Sequence, residues 1–220
     1  MQLVKFCDDA SELESSFINL SNQLSDLLKN EGIHKVAYAP GLPLFRALSL
    51  ERKTRLLSHL QSYNTLCVEH QIDRHSLRDS KTFTWRAMMK FGLTPDSELM
   101  DKITNEDVVE IYSEDHTQLF RNFEFFGISS YTLEQLFCLE WWSLFERDDA
   151  HSVQILSLVN QMFAGRAPLG FSRVVPAHIV TEKCSEGRFR VNYEMQHFAP
   201  LYRNKRVEAI ISIVRGTALD

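Results

Sequence analysis

The 220-residue chain is 44% hydrophobic and 24% charged, which supports an ordinary buried core in one large or two small domains without disulfides or a structural metal. Its net charge is −5, with residues 1–105 neutral and the whole excess in residues 106–220, so neither half carries the basic face that phosphate neutralisation requires, and no nucleic-acid partner is expected. The N-terminus turns acidic within a dozen residues, no run approaches the ~20 apolar residues of a membrane span, and Cys7, Cys67, Cys138 and Cys184 form no CxxC pair, so the expectation is a cytoplasmic protein with reduced thiols and no membrane contact.

The first half, residues 1–105, reads as helical. Over 11–31, Leu13, Phe17, Leu20, Leu24, Leu27 and Leu28 recur in steps of three and four, one face of a long amphipathic helix. Ser11 and Glu14 have the spacing of a capping box at its start, and Gly32 follows its end. Pro40, Gly41 and Pro43 break the chain. A second helix is predicted from near Ser49 to about Ile72, with Leu50, Leu56, Leu57, Leu60, Leu66 and Cys67 as its stripe. A third covers 80–91, with Phe83, Ala87, Met88 and Phe91 inward and Gly92 as a stop. Pro95 and Ser97 suggest a short element over 96–103.

The second half, 106–220, changes period. Residues 108–112 and 117–121 read as a hairpin joined by polar turn residues, with Glu110, Glu114 and Asp115 as solvated charges. Residues 122–163 carry short helical pieces and one longer helix, 149–163, with Val153, Leu156, Val159 and Phe163 as its stripe and Asp148 and Asp149 at its favourable N-terminus. Strand character returns over 171–184, 187–199 and 206–215, linked by turns at Ser185–Gly187 and at Asn204–Lys205. The predicted fold class is α+β: a helical N-terminal region, then a five-stranded antiparallel sheet with helices on one face. The last strand has Val207, Ala209, Ile211 and Ile213 on one face and Ile210 and Val214 on the other. A strand apolar on both faces must be covered on both. The N-terminal helices, with helix 11–31 as the best candidate, or a partner protomer's helices, are expected to cover the second face.

Read in order, these segments resemble a PAS domain over about residues 106–220. Asn122–Ser129 resembles the segment after the second PAS strand, Tyr131–Leu136 the following helix, and Trp142–Asp149 the stretch leading into the long helix. Gly165 stands where a glycine often ends that helix, and Val207–Thr217 resembles the last strand and its exit. Gly216 departs from the pattern, standing where that exit normally has an aspartate. Residues 1–105 resemble no family, and a sheet-covering or dimerisation role is expected of them.

The resemblance implies a sensory or protein-interaction module that binds haem, a flavin, a small metabolite or nothing. Cys138 lacks the sequence surroundings of a flavin-reactive cysteine and reads as a buried free thiol. His151, at the start of the long helix, is expected to face solvent, so neither haem nor flavin is expected as cofactor. A small-molecule ligand would lie between helices and sheet, lined by Phe123, Trp142, Phe145, His178, Tyr193 and His197. Tyr193 and His197 share a strand face with Phe189, Val191 and Met195, and polar groups there need partners from protein, water or ligand. The same aromatics could instead fill the cavity.

No nucleophile elbow, P-loop, HExxH or dinucleotide fingerprint occurs, so catalytic and metal residues are not expected. The functional expectation is a cytoplasmic signal-transduction module without catalytic output, acting through a protein partner or as a homodimer. Two alternatives are a scaffold or dimerisation module with a side-chain-filled cavity, and the input fragment of a larger kinase or cyclase. The chain stops at Asp220 with no output domain, which favours an adaptor if the gene stops there too.

Overall fold

The structure is a computed structural model that describes residues 10–96, 98–185 and 187–219. Cys7 and Glu186 of the expected turn therefore lie outside the described residues, as does Ser97. The helical region comprises α1 (Ala10–Asn30), α2 (Pro43–Ala47), α3 (Leu50–Ile72) and α4 (Ser80–Phe91), then one 3-10 turn at Leu99–Lys102. Ser49 caps α3 by accepting from the Arg52 amide, and Asp79 caps α4 by accepting from that of Thr82. Gly92 ends α4 at φ 64, the left-handed C-cap that glycine adopts without strain.

Two details of the helical reading are corrected. Ala10 is already helical, so Ser11 is not the N-cap of α1, and Glu14 forms a two-pronged ion pair with Arg46 instead. Leu50 is exposed, because the inward face of α3 runs through Leu57, Leu60, Tyr63, Cys67 and His70.

The second half forms a hairpin of β1 (Val108–Ser113) and β2 (Gln118–Arg121), then α5 (Phe123–Gly127), α6 (Leu133–Cys138) and α7 (Trp141–Leu144). A two-residue strand β3 (Phe145–Glu146) leads into α8 (Asp149–Phe163). Strands β4 (Arg173–Glu182), β5 (Arg190–Arg203) and β6 (Arg206–Ala218) follow. The sheet is a curled antiparallel half-barrel of six strands in the order β2-β1-β6-β5-β4-β3. The sixth strand is β3, too short for alternation to reveal in the sequence. Asn204 and Lys205 turn β5 into β6, both at positive φ, as a tight two-residue hairpin requires. Among the described residues no helix is long and apolar enough to cross a membrane.

Helices cover both faces of the sheet. On one, Phe83 of α4 and Tyr63 of α3 meet Phe120 of β2 at ring-centroid distances of 5.1 and 6.1 Å, and Phe83 also meets Phe123 at 5.8 Å. The second face is thus covered by α3 and α4. Helix α1 packs one layer further out, on α3 and α6, with Phe17 stacked on Phe45 of α2. The long amphipathic helix is therefore not the sheet cover. Its single apolar stripe fits the grooves of other helices, while the aromatic side chains that reach the strands sit on α3 and α4.

Buried polar groups stitch the two halves together. Asn122 accepts from the Val109 amide and donates to Ser80 Oγ and the Asp107 carbonyl, joining β1, β2 and the start of α4. Glu134, fully buried on α6, accepts from the amides of Ala39, Leu44 and Phe45, and so replaces the cap that Leu42 cannot give α2.

Candidate functional site

On the other face of the sheet, α7 and α8 roof the strands, with β3 as the edge strand beside β4. Helix α8 starts on Asp148, whose carboxylate accepts from the Ala150 amide. Ile155, Val159 and Met162 are its buried residues, spaced four and three apart. Val153 (66% exposed) and Leu156 (41%) point outward, which corrects the expected stripe. The run Val153–Val159 is apolar on both sides, so periodicity alone could not choose the inward one.

Beneath α8 lies a cavity of about 60 Å³. Its apolar wall includes Leu144, Phe145, Ile155, Val159, Met195 and Phe198, and its polar wall Glu110, Tyr112, Arg147, Tyr193 and Ser212. That volume admits a few waters or a very small group, well below the ~300 Å³ at which drug-sized pockets begin.

Of the six residues expected to line it, Phe145 and Tyr193 do. His178 sits behind Tyr193, ring centroids 5.6 Å apart, and stacks on His151 at 4.4 Å. Trp142 is 45% exposed and turned edge-on to His116, while its neighbour Trp141 lines the cavity. Phe123 lies across the sheet in the aromatic cluster with Phe83 and Phe126. His197 is displaced by a bulge in β5. Met195 pairs with Val214 but His197 with Ile213, so the extra residue turns Phe198 inward and leaves His197 with Ser172 Oγ at 3.0 Å. His151 does not face solvent freely: its Nδ1 is buried without a partner beside His178.

The most consequential correction is Glu110. It lies on β1 between β2 and β6, 6% exposed, and is no turn charge. Its Oε1 accepts from Tyr112 (2.5 Å), Gln118 (2.9 Å) and Arg121 Nε (3.4 Å), while Oε2 takes no hydrogen bond. Arg147 at the cavity wall has no carboxylate partner among the described residues, and lies 5.7 Å from the Trp141 ring centre and 5.9 Å from that of Tyr193. Ser212, 4% exposed, has its Oγ beside the Tyr193 phenol but makes no well-formed hydrogen bond, and His178 Nε2 has no partner.

Burial pushes the Tyr112 and Tyr193 phenols up, with Glu110 adding to both shifts, so each stays a protonated donor. Burial also raises the Cys67 and Cys138 thiols, which keeps them unreactive. This arrangement can hold and orient a small polar group.

Sequence reasoning missed Glu110, Tyr112, Arg147 and Ser212. Two left a legible signal: a carboxylate inside Val108–Tyr112 and a hydroxyl inside Ile210–Val214 each interrupt an apolar central strand. At Gly216 a Cβ would lie 2.8 Å from Ile128 Cδ1, the far end of a side chain that would have to turn aside. No family model matches the chain, and no curated protein matches it significantly.

Proposed function

We propose that this protein is a PAS-type sensory and protein-interaction module of the cytoplasm, without catalytic output, whose ligand-responsive element is the cavity under α8. The order hairpin, helical insert, three long strands supports that reading, as does the helical roof on the curled sheet. The observation that carries the ligand half is the polar wall of one cavity, where the buried Ser212 Oγ makes no well-formed hydrogen bond and Glu110 and an Arg147 without a carboxylate partner among the described residues stand beside it. A buried hydroxyl such as that of Ser212 costs stability unless something pairs with it.

Binding would act by moving α8. At 60 Å³ the cavity must widen to accept a metabolite, and α8, like α7, is a part of its wall outside the strand ladder. A ligand shifts that equilibrium only by its differential affinity for the two positions of the helix. Val153 and Leu156 on the outer side of α8 would carry the shift to a protein partner or a second copy.

Native mass spectrometry of the purified full chain tests the ligand half, together with a thermal-shift screen of small polar metabolites. A bound small molecule, or a saturable rise in Tm lost in Arg147→Gln, is expected. Bare protein with no shift across the screen would favour the scaffold reading, to which the small volume already lends weight. Light scattering after size exclusion tests the homodimer, and a clean monomer at tens of micromolar would sink it.

A further inference from the structure

We propose that the cleft between α3 and the β1–β2 hairpin is a second binding site, shaped for a small organic carboxylate with an apolar body. The cleft has a volume of about 300 Å³, five times that of the inner cavity, and it lies where the helical half meets the sheet half. Its floor is apolar, from Leu56, Leu136, Phe137, Leu139 and Trp141. Its cations are Arg52, Arg55 and Arg121, with the imidazoles of His59 and His116 beside them.

Arg121 is the anchor. It is 3% exposed, and its guanidinium is fixed on three sides. One face rests on the Phe125 ring at 4.3 Å, Nε points at Glu110 at 3.4 Å, and Nη1 donates to the Leu136 carbonyl at 2.8 Å. Nη2 takes no acceptor from the protein. Held in place by its other contacts and lining the cleft, Nη2 is a fixed cationic donor that remains open to an anion there. His59 is half-buried and also makes no hydrogen bond within the protein.

The acids facing this cleft are Asp115 and Glu140, with Glu110 on the far side of the wall. Asp115 pairs with Arg55 at 3.0 Å and Glu140 with Arg52 at 2.6 Å. Both pairs are solvent-exposed, and such pairs contribute little, so either arginine can turn to an incoming anion at small cost. Glu51 also pairs with Arg55 at 2.9 Å and Glu110 with Arg121 at 3.4 Å, so every guanidinium of the cleft has a carboxylate neighbour, and the site rests on the open Nη2 of Arg121 and the exchangeable surface pairs rather than on net charge. A guanidinium edge matches a planar carboxylate better than a spherical anion, and the five apolar side chains of the floor would receive its hydrocarbon part. The site is independent of the inner cavity, although Tyr112, His116 and Trp141 line both.

Benzoate is a suitable probe, with benzyl alcohol as its uncharged counterpart. Heteronuclear NMR of the full chain would follow the indole N–H of Trp141, which lines the cleft, against that of Trp85. Benzoate should shift Trp141 saturably in the millimolar range and leave Trp85 in place. Benzyl alcohol should bind about tenfold more weakly, the loss of one charged hydrogen bond. Arg121→Lys should weaken benzoate by a similar factor. Arg55→Gln, at an exposed position that leaves the fold intact, should weaken it a few-fold. Glu140→Gln should tighten it by freeing Arg52. Equal affinity for benzoate and benzyl alcohol would overturn the proposal, as would benzoate binding that Arg121→Lys and Arg55→Gln both leave unchanged. No movement of Trp141 at tens of millimolar benzoate would also overturn it.

Discussion

The two faces of this sheet solve the same burial problem differently. On the α3–α4 face, Tyr63, Phe83, Phe120, Phe123 and Phe126 interlock edge to face. That geometry suits aromatic quadrupoles, and the seal is backed by the fully hydrogen-bonded Asn122. On the α8 face, the charged Glu110 and Arg147 and the hydroxyls of Tyr112, Tyr193 and Ser212 line a small void, whereas the unpartnered atoms on the α3–α4 side, at Asn64, His70 and Thr84, adjoin no such cavity. The first face is built for stability. The second sets charged and hydroxyl side chains against a void instead.

The largest test of that contrast is a pair of truncations. Phe83→Ala should cost about 3–5 kcal/mol, the loss expected for a fully buried aromatic ring. Phe163→Ala, at the half-buried end of α8, should cost only about 1–2 kcal/mol. Chemical denaturation of both variants reads the difference, and equal losses would erase the distinction between the faces.

Next comes the charged network. Glu110→Ala strands Arg121 in a site where both side chains are almost wholly buried, and should cost about 3 kcal/mol. The pair Glu110→Gln with Arg121→Met should recover part of that loss, because a neutral, well-packed replacement leaves no charge unpaired. If the single and double variants are equally damaged, the network is not acting as an ion pair.

A pH titration probes both faces at once. His59, His70, His178 and His197 all have pKa values held below the ordinary 6.5, chiefly by burial. Each binds its proton more readily in the unfolded chain. Their contribution is therefore complete above pH 6.5 and is lost as the pH falls through the lowered values of the folded state. Tm should drop across that window, before the carboxylates titrate. His178→Asn should flatten part of the drop, since Arg147 and His151 add to the burial that disfavours its charge.

The smallest effect is expected at Ser212. Its hydroxyl is buried beside the Tyr193 phenol without a well-formed hydrogen bond, so Ser212→Ala should change stability by less than about 1 kcal/mol. If the same substitution abolishes ligand binding, Ser212 serves the ligand rather than the fold.

Local signals in the sequence determined most of the elements. Ser49, Asp79 and Gly92 mark helix ends by capping chemistry that acts within one turn, and Asn204–Lys205 marks a hairpin. Period-two alternation located the long strands, and residues 80–91 form a helix with the bounds that their spacing predicted. The candidate site was only partly legible: Phe145 and Tyr193 line the cavity, whereas Trp142 and Phe123 do not. Alternation also fails at a bulge, which is why His197 was assigned to the wrong face.

Tertiary structure alone decided the rest. Which of two apolar sides of α8 turns inward depends on the curvature of the sheet beneath it. That α4 rather than α1 covers the second face depends on aromatic partners far away in the chain. Glu110 became an interior group because Arg121, Tyr112 and Gln118 converge on it from across a hairpin. Short-range pattern reports how a segment folds. The partners of a buried charge are set by packing between segments, and no single stretch of sequence contains them.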